Sequence, residues 1–205
     1  MRCIATLCIS VFLLSSIAEA RPVSYPDAWT VMLRNDADQN SAHIHYTFDT
    51  QHSIGLRLRY DRDGDFTFAG AQLNRLMKRW NKPDSQANIY GRIGIGAVFD
   101  DADASEFRPK RADDEALFLG LSGDWETRRY FLSYKARGIE AGRTDQSFSH
   151  AARVGVAPYI GGTDDLHTWL MVEVDHRPEA DTPVGVTPLV RFFKGAALFE
   201  AGWNI

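Results

Sequence analysis

Cysteine is all but missing from this 205-residue chain. Cys3 and Cys8 are the only two, both before residue 20, so the remainder has neither a disulfide framework nor a cysteine-based zinc site. Long apolar runs are missing as well. No stretch of about 18 consecutive apolar residues follows the N-terminus, which excludes a helical membrane bundle. Positive charge is not in excess either. The net charge is −4, whereas a general nucleic-acid binder is normally basic. What is present suffices for a folded domain: 44% apolar and 24% charged residues do not describe a disordered chain. The length suits one domain of ordinary size.

Residues 1–20, MRCIATLCISVFLLSSIAEA, read as an export signal. Arg2 supplies a positive n-region, Ile4 to Leu14 an apolar h-region, and Ala18-Glu19-Ala20 a small-x-small cleavage site. The run is too short for a membrane anchor. We therefore expect cleavage after Ala20 and a mature domain over 21–205. Both cysteines leave with the signal, which suits an oxidising compartment. Arg2 and Glu19 cancel, so the mature domain keeps the charge of −4.

The rest of the chain alternates with period two almost throughout, the signature of β-strands. Ile44, Tyr46 and Phe48 alternate with His43, His45 and Thr47. Ile54, Leu56, Leu58 and Tyr60 alternate with Gly55, Arg57, Arg59 and Asp61. Similar runs cover 29–35, 86–99, 116–126, 129–138, 148–160, 167–176, 184–193 and 197–205. Residues 66–80 are ambiguous: Phe66 and Phe68 begin a strand, yet Leu73, Leu76, Met77 and Trp80 have helical spacing. Neighbouring strands on both sides favour a strand with a bulge. About eleven strands result, joined by turn chemistry such as Asp61-Arg62-Asp63-Gly64-Asp65 and Lys194-Gly195.

Which solvent meets the apolar face decides the architecture. A soluble barrel or sandwich turns it inward; an outer-membrane barrel turns it outward and lines its interior with the polar face. Three features favour the membrane. The polar face carries Arg57, Arg59, Arg92, Arg137, Arg153 and Arg191 against Glu126, Glu173, Asp175 and Glu200, and such mixed charges suit a narrow lumen where they pair. Connections alternate in length, with 36–40, 62–65, 100–115, 139–147 and 177–183 forming the longer set, as in barrels with short periplasmic turns. Aromatics mark both strand ends: Trp29, Phe48, Trp80, Trp125, Tyr130 and Trp169 at one, and Tyr60, Phe66, Phe99, Phe148 and Trp203 at the other. Bilayer interfaces favour two such girdles.

The blocks Trp29-Thr30-Val31-Met32, Leu76-Met77-Lys78-Arg79-Trp80-Asn81, Ser85-Gln86-Ala87-Asn88, Ala157-Pro158-Tyr159-Ile160-Gly161, Asp165-Leu166-His167-Thr168-Trp169-Leu170-Met171 and Thr187-Pro188-Leu189-Val190-Arg191-Phe192-Phe193-Lys194-Gly195 resemble a family of small, largely uncharacterised proteobacterial outer-membrane β-barrel proteins. The similarity covers nearly all of 22–203. It implies fold and location and brings no catalytic residues. Such barrels close with a strand ending in Phe or Trp, whereas here the chain reads Trp203-Asn204-Ile205. Single-chain bacterial barrels use an even strand number, and an open edge cannot sit in lipid. We therefore expect a twelfth strand missing from this chain, with ten strands as the alternative.

Other constellations read more plainly as structure. His43 and His45 share a strand face and would need an acid across the lumen to hold a transition metal. Asp36-Ala37-Asp38-Gln39-Asn40 and Asp61-Arg62-Asp63-Gly64-Asp65 resemble calcium loops, but Thr47 and Gln72 stand where the twelfth-position Glu belongs. Residues 100–115 are rich in Asp and Glu and would meet lipopolysaccharide through divalent cations. Gly91 to Gly96 is not a dinucleotide fingerprint, because the glycine order is wrong; Gly94 and Gly96 make room for a bend or a bulky neighbour. Ser149 and His150 are adjacent and face opposite sides, and no Gly-x-Ser-x-Gly occurs.

The expectation is an all-β, antiparallel up-and-down transmembrane barrel of about twelve strands, about eleven of them in this chain. His43, His45, Arg57, Arg59, Arg92, Arg137, Arg153, Glu173, Asp175, Arg191 and Glu200 line its lumen. It is a narrow charge-lined pore for small solutes or a passive structural barrel in the outer membrane, with no catalytic residues, metal or cofactor. Its partners are outer-membrane lipids and lipopolysaccharide, not nucleic acid. The alternatives are a lipid-modifying enzyme and a soluble periplasmic binding barrel.

Overall fold

The computed structural model describes residues 21–36, 39–62, 65–100, 114–141, 145–180 and 182–205, with the backbone of 5–12. The strands are β1 (Ala5–Phe12), β2 (Ala28–Asn35), β3 (Gln39–Thr47), β4 (His52–Asp61), β5 (Phe66–Lys82), β6 (Ser85–Asp100), β7 (Asp114–Thr127), β8 (Tyr130–Ala141), β9 (Asp145–Val156), β10 (His167–His176), β11 (Val184–Lys194) and β12 (Ala197–Trp203). The eleven from β2 to β12 pair with their chain neighbours in one antiparallel meander, curled through 275° into an open half-barrel. The β1 backbone pairs antiparallel with both outer strands, β2 and β12. It lies within the segment that the sequence marks for cleavage.

Alternation explains both the strands and the curl. Each strand has one face that prefers an enclosed side, so one register satisfies every rung and a one-residue slip would invert them all. Glu173 lies opposite Arg153, and Arg191 opposite Glu200, so charge pairing reinforces the register that hydrophobicity selects. Leu56, Leu119 and Val172 point outward, at 64%, 51% and 39% exposure, while Glu173 is only 6% exposed. The apolar side is therefore the convex side.

The ambiguous segment is strand β5 with a bulge. Leu76 pairs with Tyr90 and Lys78 with Ile89, so Met77 is the extra residue. An unpaired residue shifts the alternation by one. Leu76 points inward with the even positions before it, at 5% exposure, whereas Met77 and Trp80, an odd and an even position, are both exposed, at 56% and 45%, and this phase shift reproduced a helical spacing in a strand.

Turns at one end are short and side-chain bonded. Asp49 Oδ1 accepts from the backbone N–H groups of Gln51 and His52, both at 2.7 Å. The Gln51 N–H and the His52 ring hold the Asp49 carboxyl below its ordinary range. Gly195, between β11 and β12, takes φ 57°, a left-handed conformation open to glycine. Much of the longest connection at the other end, 100–115, lies outside the described residues.

Two aromatics depart from the expected girdles. Phe66 and Trp169 are 3% and 7% exposed and face the concave side, because each is in phase with the inward set of its strand: Phe66 with Phe68, Trp169 with Met171 and Glu173. They belong to apolar clusters that a purely charged lining does not anticipate. One joins Phe66, Phe68, Val98, Ala116, Phe118 and Ile139. Another joins Phe131, Trp169, Met171 and Leu189. Glycines make space for these rings. A Cβ on Gly70 would stand 2.7 Å from Phe68 Cζ, and Gly94 and Gly120 flank Phe118, so the ring's own strand (Gly70 in β5, Gly120 in β7) and the adjacent one (Gly94 in β6) carry no side chain where these two rings lie.

Candidate functional site

The concave face borders a cavity of about 320 Å³ lined chiefly by charged and polar side chains. Strand parity puts them there. Arg57 and Arg59 come from β4, Arg92 from β6, Arg137 from β8, Arg153 from β9, Glu173 and Asp175 from β10, Arg191 from β11 and Glu200 from β12. His43 lines the same space from β3, and its neighbour His45, fully buried, lies just outside the lining. The structure thus brings ten of the eleven expected residues to one cavity. Sequence reasoning left out Arg34, Lys135 and Gln72, which share the cavity; their inward phase was visible in the alternation of their strands.

One wall of the cavity is a neutralised network. Arg153 donates from Nε to Glu173 at 2.9 Å and from Nη1 to Glu200 at 2.7 Å. Arg191 Nε donates to the same Glu200 oxygen at 2.6 Å. Lys135 Nζ reaches both Glu173 oxygens at 3.1 and 3.2 Å. Arg34 pairs with Asp36 and approaches Glu173 at 4.0 Å. Glu173 and Glu200 each serve at least two cations, an arrangement that compensates buried charge from several strands at once.

The opposite wall differs. Arg57 Nη1 donates to Gln72 Oε1 at 3.3 Å, and its guanidinium lies 5.1 Å from the Phe118 ring centroid. Arg92 Nη2 donates to Ser122 Oγ at 3.0 Å. Arg59 pairs with Asp61. The His43 and His45 rings lie 4.8 Å apart, and Arg57 and Arg92, not acids, are their electrostatic neighbours. Among the described residues no three His, Cys, Asp or Glu converge as a metal site would require.

Below the cavity, towards the short turns, lies a feature the alternation gave no sign of. Residues Arg21 to Ser24 enter the concave face. Arg21 donates to Gln86 and, at 2.5 Å, to Glu126. Ser53 Oγ donates to the Pro22 carbonyl at 2.5 Å, and Ser24 N to Thr47 Oγ1 at 3.2 Å. Val23, 1% exposed, packs on Leu76 and Tyr90. A belt of buried Thr30, Thr47, Ser53, Asn74 and Asn88 surrounds this insert.

The remaining sequence candidates have local roles. Asp36 accepts from Gln39 N at 2.8 Å and pairs with Arg34, so its carboxylate serves a turn and an ion pair. Asp61 pairs with Arg59, and Ala37, Asp38, Asp63 and Gly64 lie outside the described residues. Ser149 and His150 both border the cavity, but the His150 ring bonds Tyr134 and His176 at 3.2 and 2.9 Å, with Tyr134 exposed on the convex side. The two neighbours are therefore directed to opposite faces. No family model, curated protein or solved structure matches the chain.

Proposed function

We propose that residues 21–205 form an outer-membrane β-barrel, closed by a twelfth strand, whose lumen is a narrow charge-lined path for small solutes. One observation carries the reading: the sidedness of the sheet. Ile54, Leu56, Leu58, Ile95, Leu119, Leu121, Leu132, Val154 and Leu170 all lie on the convex face, each 48% exposed or more. A continuous apolar surface of this kind needs a non-aqueous partner. Ten residues of strand at about 3.3 Å each, tilted by about 40°, rise about 25 Å, the height of the apolar band of such barrels. Trp29, Phe48, Trp80, Trp125 and Tyr130 are exposed at the short-turn end, which on this reading faces the periplasm.

Closure follows from the same physics. Unpaired edges of β2 and β12 would leave backbone groups without partners in lipid. The pairing of β1 with both edges supports a slot one strand wide. Lipids contact the convex face, and lipopolysaccharide meets the longer connections. The test is partitioning followed by conductance. The expressed protein should fractionate with membranes and require detergent, and refolded protein should give steps in a planar bilayer. Recovery in the detergent-free soluble fraction refutes the membrane reading.

A second reading, a passive structural barrel, is favoured by the Arg21–Ser24 insert, which fills the concave face beside Tyr90 and Leu76. A folded, inserted barrel that stays electrically silent at every salt concentration selects it.

A further inference from the structure

We infer that the cavity binds a small tetrahedral oxyanion, of the phosphate or sulfate class, between Arg57, Arg92 and Arg137. The inference deepens the lumen reading and rests on the concave face being enclosed.

Charge accounting leads to it. Nine cationic side chains line the cavity against Glu173, Asp175 and Glu200. Adding Asp36 and Asp61, which pair with Arg34 and Arg59, still leaves four cations in excess among the described residues. The excess is localised. Among the described residues Arg57, Arg92 and Arg137 make no ion pair with a carboxylate, and the hydrogen bonds of Arg57 and Arg92 go to the neutral Gln72 and Ser122. The nearest acids are engaged elsewhere. Asp61, within electrostatic range of Arg137, is held by Arg59. Asp124, within range of Arg92, accepts from Asn88 at 2.6 Å.

Arg57 lies within the field of both other cations. Arg57 is within Coulombic range of Arg34, Arg59 and Arg92, and Arg137 is within range of Arg57. Like charges confined in a poorly solvated space repel strongly, and water relieves that repulsion less than a counter-ion does. Guanidinium forks offer paired N–H donors that match the oxygens of a tetrahedral oxyanion, which a chloride cannot engage at several points. A second observation points into the same space. His43 is 5% exposed, lines the cavity, and its Nε2 has no hydrogen-bond partner among the described residues. At about 30 Å³ per water, the cavity holds about ten waters, enough for a phosphate with part of its hydration, or for a small phosphate monoester.

The experiment titrates inorganic phosphate, sulfate and chloride into the refolded chain in detergent, by calorimetry at constant ionic strength. Far-UV circular dichroism and heat-modifiable mobility report the fold of each variant. Saturable binding of phosphate or sulfate, with none for chloride, is expected. Arg57→Gln and Arg137→Gln should each weaken it about tenfold or more, and Arg57→Lys by less. Phosphate should also raise the urea midpoint of the unaltered protein, a readout that needs no variant. Absence of a saturable signal, or variants that bind like the parent, overturns the inference. A chain that binds phosphate but stays out of membranes removes the membrane reading and leaves this site standing. An inserted, conducting barrel without phosphate binding does the reverse.

Discussion

Leu119→Arg separates a membrane-facing sheet from a water-facing one. Leu119 is the sixth of the 14 residues of β7, opposite Ile93 on β6 and two residues from Leu117 and Leu121 on the same face. Half of its surface is free of protein contact, so no core is lost when it changes. In water an arginine at such a site costs less than about 0.5 kcal/mol. At the midplane of a bilayer the same change costs about 2–4 kcal/mol, because the guanidinium must be stripped of water or drag water with it. The difference corresponds to at least a tenfold change in folding equilibrium. Depth supplies an internal control: Trp125→Arg, near the short turns, should cost only about 0–1 kcal/mol. Urea unfolding of protein refolded into phosphatidylcholine vesicles, followed by tryptophan fluorescence with Leu121→Arg as an intermediate point, measures the profile. Equal, small costs at positions 119, 121 and 125 would refute the reasoning.

Other perturbations probe the concave side. Glu200→Gln withdraws a carboxylate shared by Arg153 and Arg191; loss of a buried partner should lower stability by about 3–5 kcal/mol, read as a lower urea midpoint, and Glu200→Gln combined with Arg153→Met should recover part of it. Gly155→Val places atoms against Met171, whose Cε would stand 2.7 Å from a new Cβ; overpacking of about 1–3 kcal/mol is expected, and Met171→Ala in the same chain should relieve it, while an unrelieved loss would show that the contact is not the cause. Val23→Asp puts a charge against Leu76 and Tyr90; the insert should leave the concave face and single-channel conductance should rise, and an unchanged conductance would show that the insert is not a cork.

Legibility differed between the two faces. The convex face was readable because lipid or water imposes one requirement on every residue that meets it, and period two reports that requirement directly: Leu56, Leu119 and Val172 each fell on the expected side. The cationic lining was readable for the same reason, since parity alone aligns Arg57, Arg153 and Glu200. Phe66 and Trp169 were misplaced because aromatics suit both an interface and a buried apolar cluster, and only the fold brings Phe66 to Phe118 and Trp169 to Phe131. The bulge at Met77 hid the phase of β5. The Arg21–Ser24 insert left no periodic trace at all, since four residues outside a strand have no period to read.

Local chemistry along the chain was enough to specify the meander: alternation makes strands, turn residues separate them, and consecutive strands pair. Partnerships across the enclosed space were decided only by tertiary structure. Arg153 joins Glu200 across 47 positions, and Arg57 on β4 lies over the Phe118 ring of β7. Sheet curvature sets these distances, and no spacing in a linear sequence encodes it.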